Sequence, residues 1–186
     1  MAEPKRVAVL ISGRGSNMRA LVAQAKAYEV VLVASNKPDA AGLQWAREHG
    51  LQTWGHDSKG IGREDYDRIL SAALEEHRVG TIALAGFMRI LSPWFVQRWS
   101  GRIVNIHPSL LPKHRGLDTH ARAIAAGDEV GGCSVHIVTE ELDAGEVLGQ
   151  AEVPIELGDT AAILERRVLA AEHRLYPAVL NEFVLR

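Results

Sequence analysis

Residues 103–112, IVNIHPSLLP, contain a strand with polar residues at its carboxyl end. In an extended chain alternate side chains share a face, which predicts that Asn105 and His107 lie on one face about 6.5–7 Å apart. Pro108 has no backbone N–H, so the strand is expected to end at His107. In open α/β sheets the ligand crevice lies at the carboxyl ends of the strands. A polar pair there can belong to a site or merely satisfy a turn, and these two residues alone leave both alternatives open.

The segments around this strand alternate between apolar, β-rich runs and periodic helical segments. Such alternation predicts βαβ units, and therefore a single-domain, Rossmann-like α/β fold with a mostly parallel twisted sheet and helices on both faces. Residues 132–139 and 147–153 are two strands joined by a short loop, which adds an antiparallel strand near the C-terminal end. The other predicted strands are residues 6–11, 30–34, 52–54, 81–85 and 103–107. The predicted helices are residues 18–27, 41–48, 63–77, 93–99, about 119–126 and 161 to about 175.

Helical periodicity is strongest in residues 63–77 and gives a specific expectation for the core. The side chains expected to point inward from this helix are Tyr66, Ile69, Leu70, Ala73 and Leu74.

Composition and charge are typical of an ordinary globular chain. A length of 186 residues suffices for one well-buried core and is short for two domains. The net charge of −2 gives no general electrostatic reason to expect a nucleic-acid partner. Cys133 is the only cysteine, which excludes an intrachain disulfide and favours a reducing compartment. The apolar run at residues 7–11 is too short for a signal peptide or a membrane span, so we expect a cytoplasmic protein with no membrane partner.

A glycine turn, SGRGSN at residues 12–17, separates the first strand from the first helix. Glycines allow close backbone approach to a phosphate, and the helix N-terminus offers unpaired N–H groups. The dinucleotide-binding fingerprint needs a third glycine where Met18 stands, and no Gly-Lys-Ser/Thr sequence completes a Walker A loop. The turn therefore suits a single terminal phosphate, with a plain glycine turn as the alternative.

Three further polar residues stand out along the chain. Arg89 lies in an apolar run at residues 88–91, which fits a slot for a flat organic ligand with an anionic group, or a core segment with a surface arginine. Asp143 precedes Ala-Gly, which is most often a surface turn. Glu172 lies in the last helix, where an exposed charged face is the usual explanation. The histidines show no zinc-ligand spacing, so no metal is expected.

Six segments together resemble a known family. They are SGRGSN at 12–17, AGFMRILSP at 85–93, NIHPSLLP at 105–112, SVH at 134–136, TEELDAG at 139–145 and EHRLYP at 172–177. Their order and spacing are similar to those of the phosphoribosylglycinamide formyltransferases, a branch of the folate-dependent formyltransferases. The resemblance covers nearly the whole chain.

This resemblance implies transfer of a formyl group from 10-formyltetrahydrofolate, a cosubstrate, to the amine of glycinamide ribonucleotide in purine biosynthesis. It implies one formyltransferase domain over residues 1–186, with phosphate binding in the N-terminal half and catalysis and folate binding in the C-terminal half. The implied catalytic residues are Asn105, His107 and Asp143. The implied ribonucleotide-binding residues are Gly15, Ser16, Asn17 and Glu172. The implied folate-binding residues are Arg63, Met88, Arg89, Ile90, Leu91, Asn105, Thr139, Glu140, Glu141, Leu142 and Asp143. No metal is implied.

The implied reaction explains why these residue types are needed. Attack of an amine on the formyl carbon places negative charge on oxygen, and preplaced donors to that oxygen usually make the largest catalytic contribution. Asn105 and His107 can each supply an N–H. A carboxylate beside an imidazole favours the charged ring, so we expect Asp143 to pair with His107 and to relay protons through water.

Two other functions remain open at this stage. A 10-formyltetrahydrofolate hydrolase would share the catalytic residues, although such relatives carry an extra N-terminal domain that a first strand at about residue 6 is expected to exclude. A non-catalytic binding module would explain the phosphate loop, but it would not explain why an amide, an imidazole and a carboxylate meet at the carboxyl edge of the sheet. Leu169 stands where relatives often carry a polar or basic ligand contact, so no side-chain hydrogen bond to a ligand is expected from it. Asp118 stands where some relatives carry histidine, so no catalytic role is assigned to it. Small-molecule substrates are the expected partners, with a homodimer left open.

Overall fold

The computed structural model describes residues 5–186, in which strands and helices alternate along most of the chain. The expectation that no targeting segment is present also concerns residues 1–4, which lie outside the described residues. The strands are β1 (Lys5–Ile11), β2 (Tyr28–Ser35), β3 (Thr53–Gly55), β4 (Thr81–Leu84), β5 (Ile103–His107), β6 (Val130–Ile137) and β7 (Val147–Pro154). The helices are α1 (Ser16–Ala23), α2 (Ala41–Glu48), α3 (Arg63–Glu76), α4 (Pro93–Arg98), α5 (Thr119–Ala125) and α6 (Ala161–Phe183).

The seven strands form one sheet in the order β3-β2-β1-β4-β5-β6-β7. Strands β1 to β5 run parallel to one another, β6 is antiparallel to β5, and β7 is antiparallel to β6. Within this sheet β6 therefore runs against all the others. The predicted α/β fold, with a mostly parallel sheet and an antiparallel strand near the C-terminal end, is confirmed.

Helices cover both faces of the sheet, as predicted. One face packs under α1, α2 and α6, and the other packs under α3 and α4. In β1, Val7 and Val9 contribute to the first layer, while Ala8 and Leu10 contribute to the second. Burial on both faces explains why this strand is an unbroken apolar run without polar alternation.

The last helix continues past Pro177, whereas the sequence predicted an end near residue 175. Proline cannot donate to the carbonyl four residues earlier, which here belongs to His173. Gln24 supplies the missing donor, because its Nε2 lies 2.9 Å from the His173 oxygen. The buried Tyr176 hydroxyl lies 3.0 Å from the carbonyl oxygens of both Leu84 and Val104 and shares its one hydrogen between them. These contacts with α1 and the sheet outweigh the local effect of proline.

The first helix ends at Ala23 instead of residue 27 because α6 binds the following backbone. The Asn181 side chain accepts the N–H groups of Lys26 and Ala27 at 2.8 and 2.9 Å, and donates to the Gln24 carbonyl at 3.0 Å. A side chain distant in sequence thus replaces the last helical hydrogen bonds.

The third helix buries Tyr66, Leu70, Ala73 and Leu74 as predicted, but the prediction for Ile69 was wrong. Ile69 is 40% exposed, whereas Asp67 is fully buried. Apolar periodicity alone could not reveal that a carboxylate takes a place in this core.

Candidate active site

Asn105 and His107 project from β5, which is hydrogen-bonded to β4 on one side and to β6 on the other. The strand ends at His107, and Asn105 pairs in register with His136 of β6. Asn105 is half-buried and His107 is buried. Val104 and Ile106 pack into the opposite layer, as the alternation predicted. The sheet therefore fixes the backbone of both polar residues.

Asp143 lies beside the His107 ring. Its Oδ2 is 3.4 Å from His107 Nδ1, and the two side chains are only 8% and 7% exposed. The same carboxylate oxygen accepts the Gly116 N–H at 2.9 Å. The interpretation of Asp143 as a surface turn residue was therefore wrong, because its carboxylate is buried against an imidazole.

The loop that carries Asp143 is held by close backbone approaches. Asp143 has a φ of 50°, in the left-handed region. Gly145 passes so close to β6 that a Cβ there would lie 1.8 Å from the Ile137 carbonyl oxygen. At the outer side of the loop, Glu140 accepts from Gln97 at 2.9 Å and Glu141 pairs with Arg115 at 2.7 Å. These contacts fold the loop back over the sheet face that carries Asn105.

His136 joins this group, although the sequence assigned it no role. Its Nε2 lies 3.2 Å from Asn105 Nδ2 and 3.6 Å from Asp143 Oδ1, and its Nδ1 lies 3.0 Å from the Ile137 oxygen. A carbonyl only accepts, so Nδ1 carries the proton and Nε2 of the neutral ring accepts from Asn105. The sequence signals were that His136 shares a strand face with Ser134 and lies in the SVH segment of the resemblance, but the pairing of this strand with β5 could not be foreseen.

Burial keeps this ring neutral. It lowers the pKa of His136, against the opposing effects of the Ile137 carbonyl and the Asp143 carboxylate, while His107 adds to the lowering. A neutral His136 holds the Asn105 amide with Nδ2 toward the ring, because a ring that donated from Nε2 would need the amide oxygen instead.

The second ring nitrogen of His107 is held by a backbone carbonyl. Its Nε2 lies 3.0 Å from the His114 carbonyl oxygen, so that nitrogen donates. The His114 ring in turn lies 2.7 Å from Asp128 Oδ2. Nδ1 of His107 therefore faces Asp143 across a separation longer than the ~2.7–2.9 Å of a tight charge-assisted hydrogen bond.

The glycine turn opens onto the N-terminus of α1. Gly15 is the N-cap with a φ of 72°, and no side chain caps the helix. The N–H groups of the first turn, which begins with Ser16 and Asn17, have no partner within the helix. A Cβ at Gly15 would lie 2.7 Å from the Met18 side chain. The turn thus presents backbone donors, as a phosphate-binding loop requires.

Asn17 connects this loop to α6. Its Nδ2 donates to Glu172 Oε2 at 2.7 Å, and both residues are buried. The expectation of an exposed Glu172 was therefore wrong. Burial raises the pKa of Glu172, the Asn17 hydrogen bond opposes that rise, and the nearby Glu165 adds to it. Helical periodicity could not show that α6 packs against α1 at this position.

Apart from Asn105 on β5, the residues expected to bind folate lie in two loops and at the start of α3. Met88, Ile90 and Leu142 expose large apolar side chains, at 67%, 61% and 58%. Leu91 is buried in the layer under α3 and α4. Exposed apolar side chains of this size favour contact with a ligand or partner.

The two arginines near this surface differ. Arg63 is exposed at the first position of α3. Arg89 is half-buried, with its guanidinium 4.6 Å from the Tyr66 ring centroid and Nη2 3.3 and 3.4 Å from the carbonyls of Gly62 and Ile61. Arg89 is therefore anchored to the beginning of α3.

Two kinds of feature are absent from residues 5–186. No group of three His, Cys, Asp or Glu side chains in that range could hold a metal ion. No helix there combines the length and apolarity that crossing a lipid bilayer requires.

Comparison with protein families gives one match over nearly the whole chain. The formyl transferase family model matches residues 5–180. The phosphoribosylglycinamide formyltransferase of Escherichia coli (strain K12) is 46% identical over 182 residues, covering 95% of this chain and 86% of that protein. The trifunctional purine biosynthetic protein adenosine-3 of Gallus gallus is 48% identical over 181 residues. That match covers 95% of this chain but only 18% of the longer protein.

Solved structures agree with the sequence comparison. A phosphoribosylglycinamide formyltransferase from Brucella melitensis has a TM-score of 0.92 at 46% identity, covering 97% of this chain and 96% of that chain. The Coxiella burnetii enzyme of the same name, in complex with CHES, has a TM-score of 0.91 at 44% identity, covering 96% of this chain and 86% of that chain.

Proposed function

This chain belongs to the formyl transferase family, and from that premise we propose that it acts as a phosphoribosylglycinamide formyltransferase in de novo purine biosynthesis. It transfers the formyl group of 10-formyltetrahydrofolate, its cosubstrate, to the amine of glycinamide ribonucleotide. The observation that carries the proposal is the buried pair of His107 and Asp143 beside Asn105. Both substrates are small molecules, and a cytoplasmic location is part of the proposal.

Asn105 is the donor to the formyl oxygen. One hydrogen of its amide is directed to His136 Nε2, which leaves the second hydrogen for the substrate. When the amine attacks the formyl carbon, negative charge develops on the formyl oxygen. A donor whose orientation is already fixed stabilises that charge without reorganising during the reaction.

His107 and Asp143 carry the charge and the proton. His107 lies against Asp143 beside Asn105, and its Nδ1 is the ring nitrogen that can act near the forming oxyanion, because Nε2 is already bound to the His114 carbonyl. The attacking nitrogen forms the new C–N bond and loses a proton, which Asp143 accepts through water. The bond from the formyl carbon to folate N10 breaks, and N10 gains a proton by the same relay.

The ribonucleotide is bound by the glycine turn and α6. Gly15, Ser16 and Asn17 bind the phosphate through backbone N–H groups at the N-terminus of α1. Glu172 meets the glycinamide amine, because its carboxylate is held by Asn17 beside that turn. One domain thus carries both functions, with phosphate binding in its N-terminal half and catalysis in its C-terminal half.

The folate is bound by the apolar segment after β4 and the loop after β6. The exposed side chains of Met88, Ile90 and Leu142 pack against its rings, and Arg63 lies near its carboxylates. The complete set of proposed folate-binding residues is Arg63, Met88, Arg89, Ile90, Leu91, Asn105, Thr139, Glu140, Glu141, Leu142 and Asp143.

The test is to incubate the purified protein with 10-formyltetrahydrofolate, with and without glycinamide ribonucleotide, and to follow deformylated folate and formylated ribonucleotide. We expect the two products in equal amounts, and no folate product without the ribonucleotide. Equal folate turnover in both samples would establish the hydrolase instead. Binding of both compounds without turnover would establish a binding module.

A further inference from the structure

The third helix contains a buried carboxylate that the proposed mechanism does not use. Asp67 is fully buried in α3, the helix whose Leu70 and Leu74 belong to the apolar layer. Burial of an ionised carboxylate is unfavourable unless hydrogen bonds and charges compensate for the lost water. The partners of Asp67 therefore indicate what it holds in place.

The direct partner of Asp67 is Ser92. The Ser92 N–H donates to Asp67 Oδ2 at 2.5 Å. Ser92 is also the N-cap of α4, since its Oγ accepts the Phe95 N–H at 3.2 Å. Asp67 thus fixes Ser92, the residue between the segment Met88–Leu91 and α4.

The other end of that segment is fixed from β1. Ser12 Oγ accepts the Met88 N–H at 2.7 Å, and the Ser12 N–H donates to the Gly86 carbonyl at 3.1 Å. The segment is therefore held at both ends by groups distant in sequence, while Met88 and Ile90 between them stay exposed. Between the ends, Arg89 is bound to the beginning of α3, and the segment has no helix or strand of its own.

The charges of two arginines at the proposed folate surface also act on Asp67. Burial raises the pKa of this carboxyl, and the Ser92 amide, the Ser92 hydroxyl and the charges of Arg89 and Arg63 oppose the rise. Arg89 is itself bound to the beginning of α3. Ser92 is thus the direct hydrogen-bond partner of Asp67, whereas the two arginines act on it only through their charges.

We propose that Asp67 is a positioning residue for the folate slot, which we define as Arg63 together with residues 88–91. Through its hydrogen bond to the Ser92 N–H, it holds the segment in the shape that the folate rings contact. This inference rests on the proposed function, because it takes residues 88–91 as the folate-binding segment. Asp67 does not touch either substrate.

The test compares Asp67→Ala and Asp67→Asn with the unmodified protein in steady-state kinetics against each substrate. Removal of a charged hydrogen-bond partner leaves the Ser92 N–H buried and unpaired. We expect Asp67→Ala to raise the KM for the folate about tenfold. Its KM for the ribonucleotide and its kcat are expected to stay within about twofold of the original values. Asp67→Asn, which keeps an acceptor oxygen, should restore most of the folate affinity.

Ser71→Ala is the matched control. Ser71 lies one turn further along α3, is buried, and accepts the Trp99 Nε1–H at 3.0 Å, so it also connects α3 to the α4 region, but beyond the slot. This variant should lower the melting temperature without moving either KM. Asp67→Leu, which fills the site without the charge, receives the same measurements if Asp67→Ala does not fold.

The inference is overturned if the folate KM of the Asp67 variants stays within about twofold of the original, or if both KM values rise together. Equilibrium binding of 10-formyl-5,8-dideazafolate separates this result from the proposed function. If the unmodified protein binds that probe but transfers no formyl group, the proposed function fails. The affinity of Asp67→Ala for the same probe still decides whether Asp67 positions the slot.

Discussion

Two regions of the candidate active site differ in how they hold their polar groups. Asn105 and His107 are held by β5, a strand with hydrogen-bonded neighbours on both sides. Asp143 is held by a loop, through the Gly116 N–H, a left-handed backbone and the close passage of Gly145 along β6. The sheet fixes the first pair as a consequence of folding, whereas the carboxylate depends on a few local contacts. Changes in the loop should therefore reduce activity without unfolding the protein.

The largest expected effect is that of Asp143→Asn. The amide oxygen can still accept the Gly116 N–H, but the charge beside His107 and the proton acceptor are lost. Loss of a positioned acid–base group reduces turnover by typically 10²–10⁴-fold, and we expect about a thousandfold loss of kcat. Turnover is measured with both substrates, and the melting temperature shows whether the fold persists. A rate near that of the original protein would refute the role of Asp143.

The next effect tests the strand side of the comparison. Asn105→Leu keeps the approximate size of the side chain but removes the donor to the formyl oxygen. Loss of one such donor costs about 3 kcal/mol, or about a hundredfold in kcat. Single-turnover measurements at saturating substrate isolate this step from binding. A loss confined to KM would show that Asn105 binds substrate without stabilising the transition state.

Gly145→Ala tests the loop without touching a reactive group. A Cβ there would lie 1.8 Å from the Ile137 oxygen, so the backbone of the loop must move. A displacement near 1 Å can cost up to a hundredfold in rate, and we expect about tenfold with little change in melting temperature. Gly80→Ala is the control, because its Cβ would make only an ordinary 3.6 Å contact. Equal activity of the two variants would contradict a loop-positioned carboxylate.

The smallest expected effect concerns the pH dependence of the protein's stability, to which His136 contributes. Because burial lowers the pKa of His136, the unfolded chain binds more protons than the folded protein between the lowered pKa and the unfolded value of about 6.5. His136 therefore favours folding fully above pH 6.5, and this contribution is lost as the pH falls through the lowered pKa. The melting temperature should accordingly fall on acidification below that pH.

His136→Gln should make this acid dependence shallower. His120 and His173 also have lowered pKa values, so part of the slope should remain. Asp67 and Glu172 have raised pKa values, so they stabilise the folded protein on acidification at lower pH. The decisive quantity is therefore the difference in the pH dependence of the melting temperature between the variant and the original protein. An unchanged slope in the variant would show that folding does not lower the pKa of His136.

Local sequence patterns predicted most of the fold, but they did not predict where α6 and α1 end, because long-range contacts set both ends. The apolar run of β1 indicated a strand buried on both faces, and Pro108 marked the end of β5. The extension of α6 past Pro177 depends on Gln24, and the early end of α1 depends on Asn181. Each of these side chains replaces a local backbone hydrogen bond with one from a distant part of the chain. No periodicity within either helix could report such an exchange.

The sequence by itself determined the order of strands and helices, the apolar faces they bury, and the family to which the motifs belong, because these follow from short-range chemistry and spacing. The tertiary structure decided which polar groups meet. Sheet register places His136 opposite Asn105, loop closure brings Asp143 to His107, and helix packing buries Glu172 against Asn17 and Asp67 beneath the segment after β4. Such contacts join residues far apart in the chain, so their geometry exists only once the sheet and its two helical layers have formed.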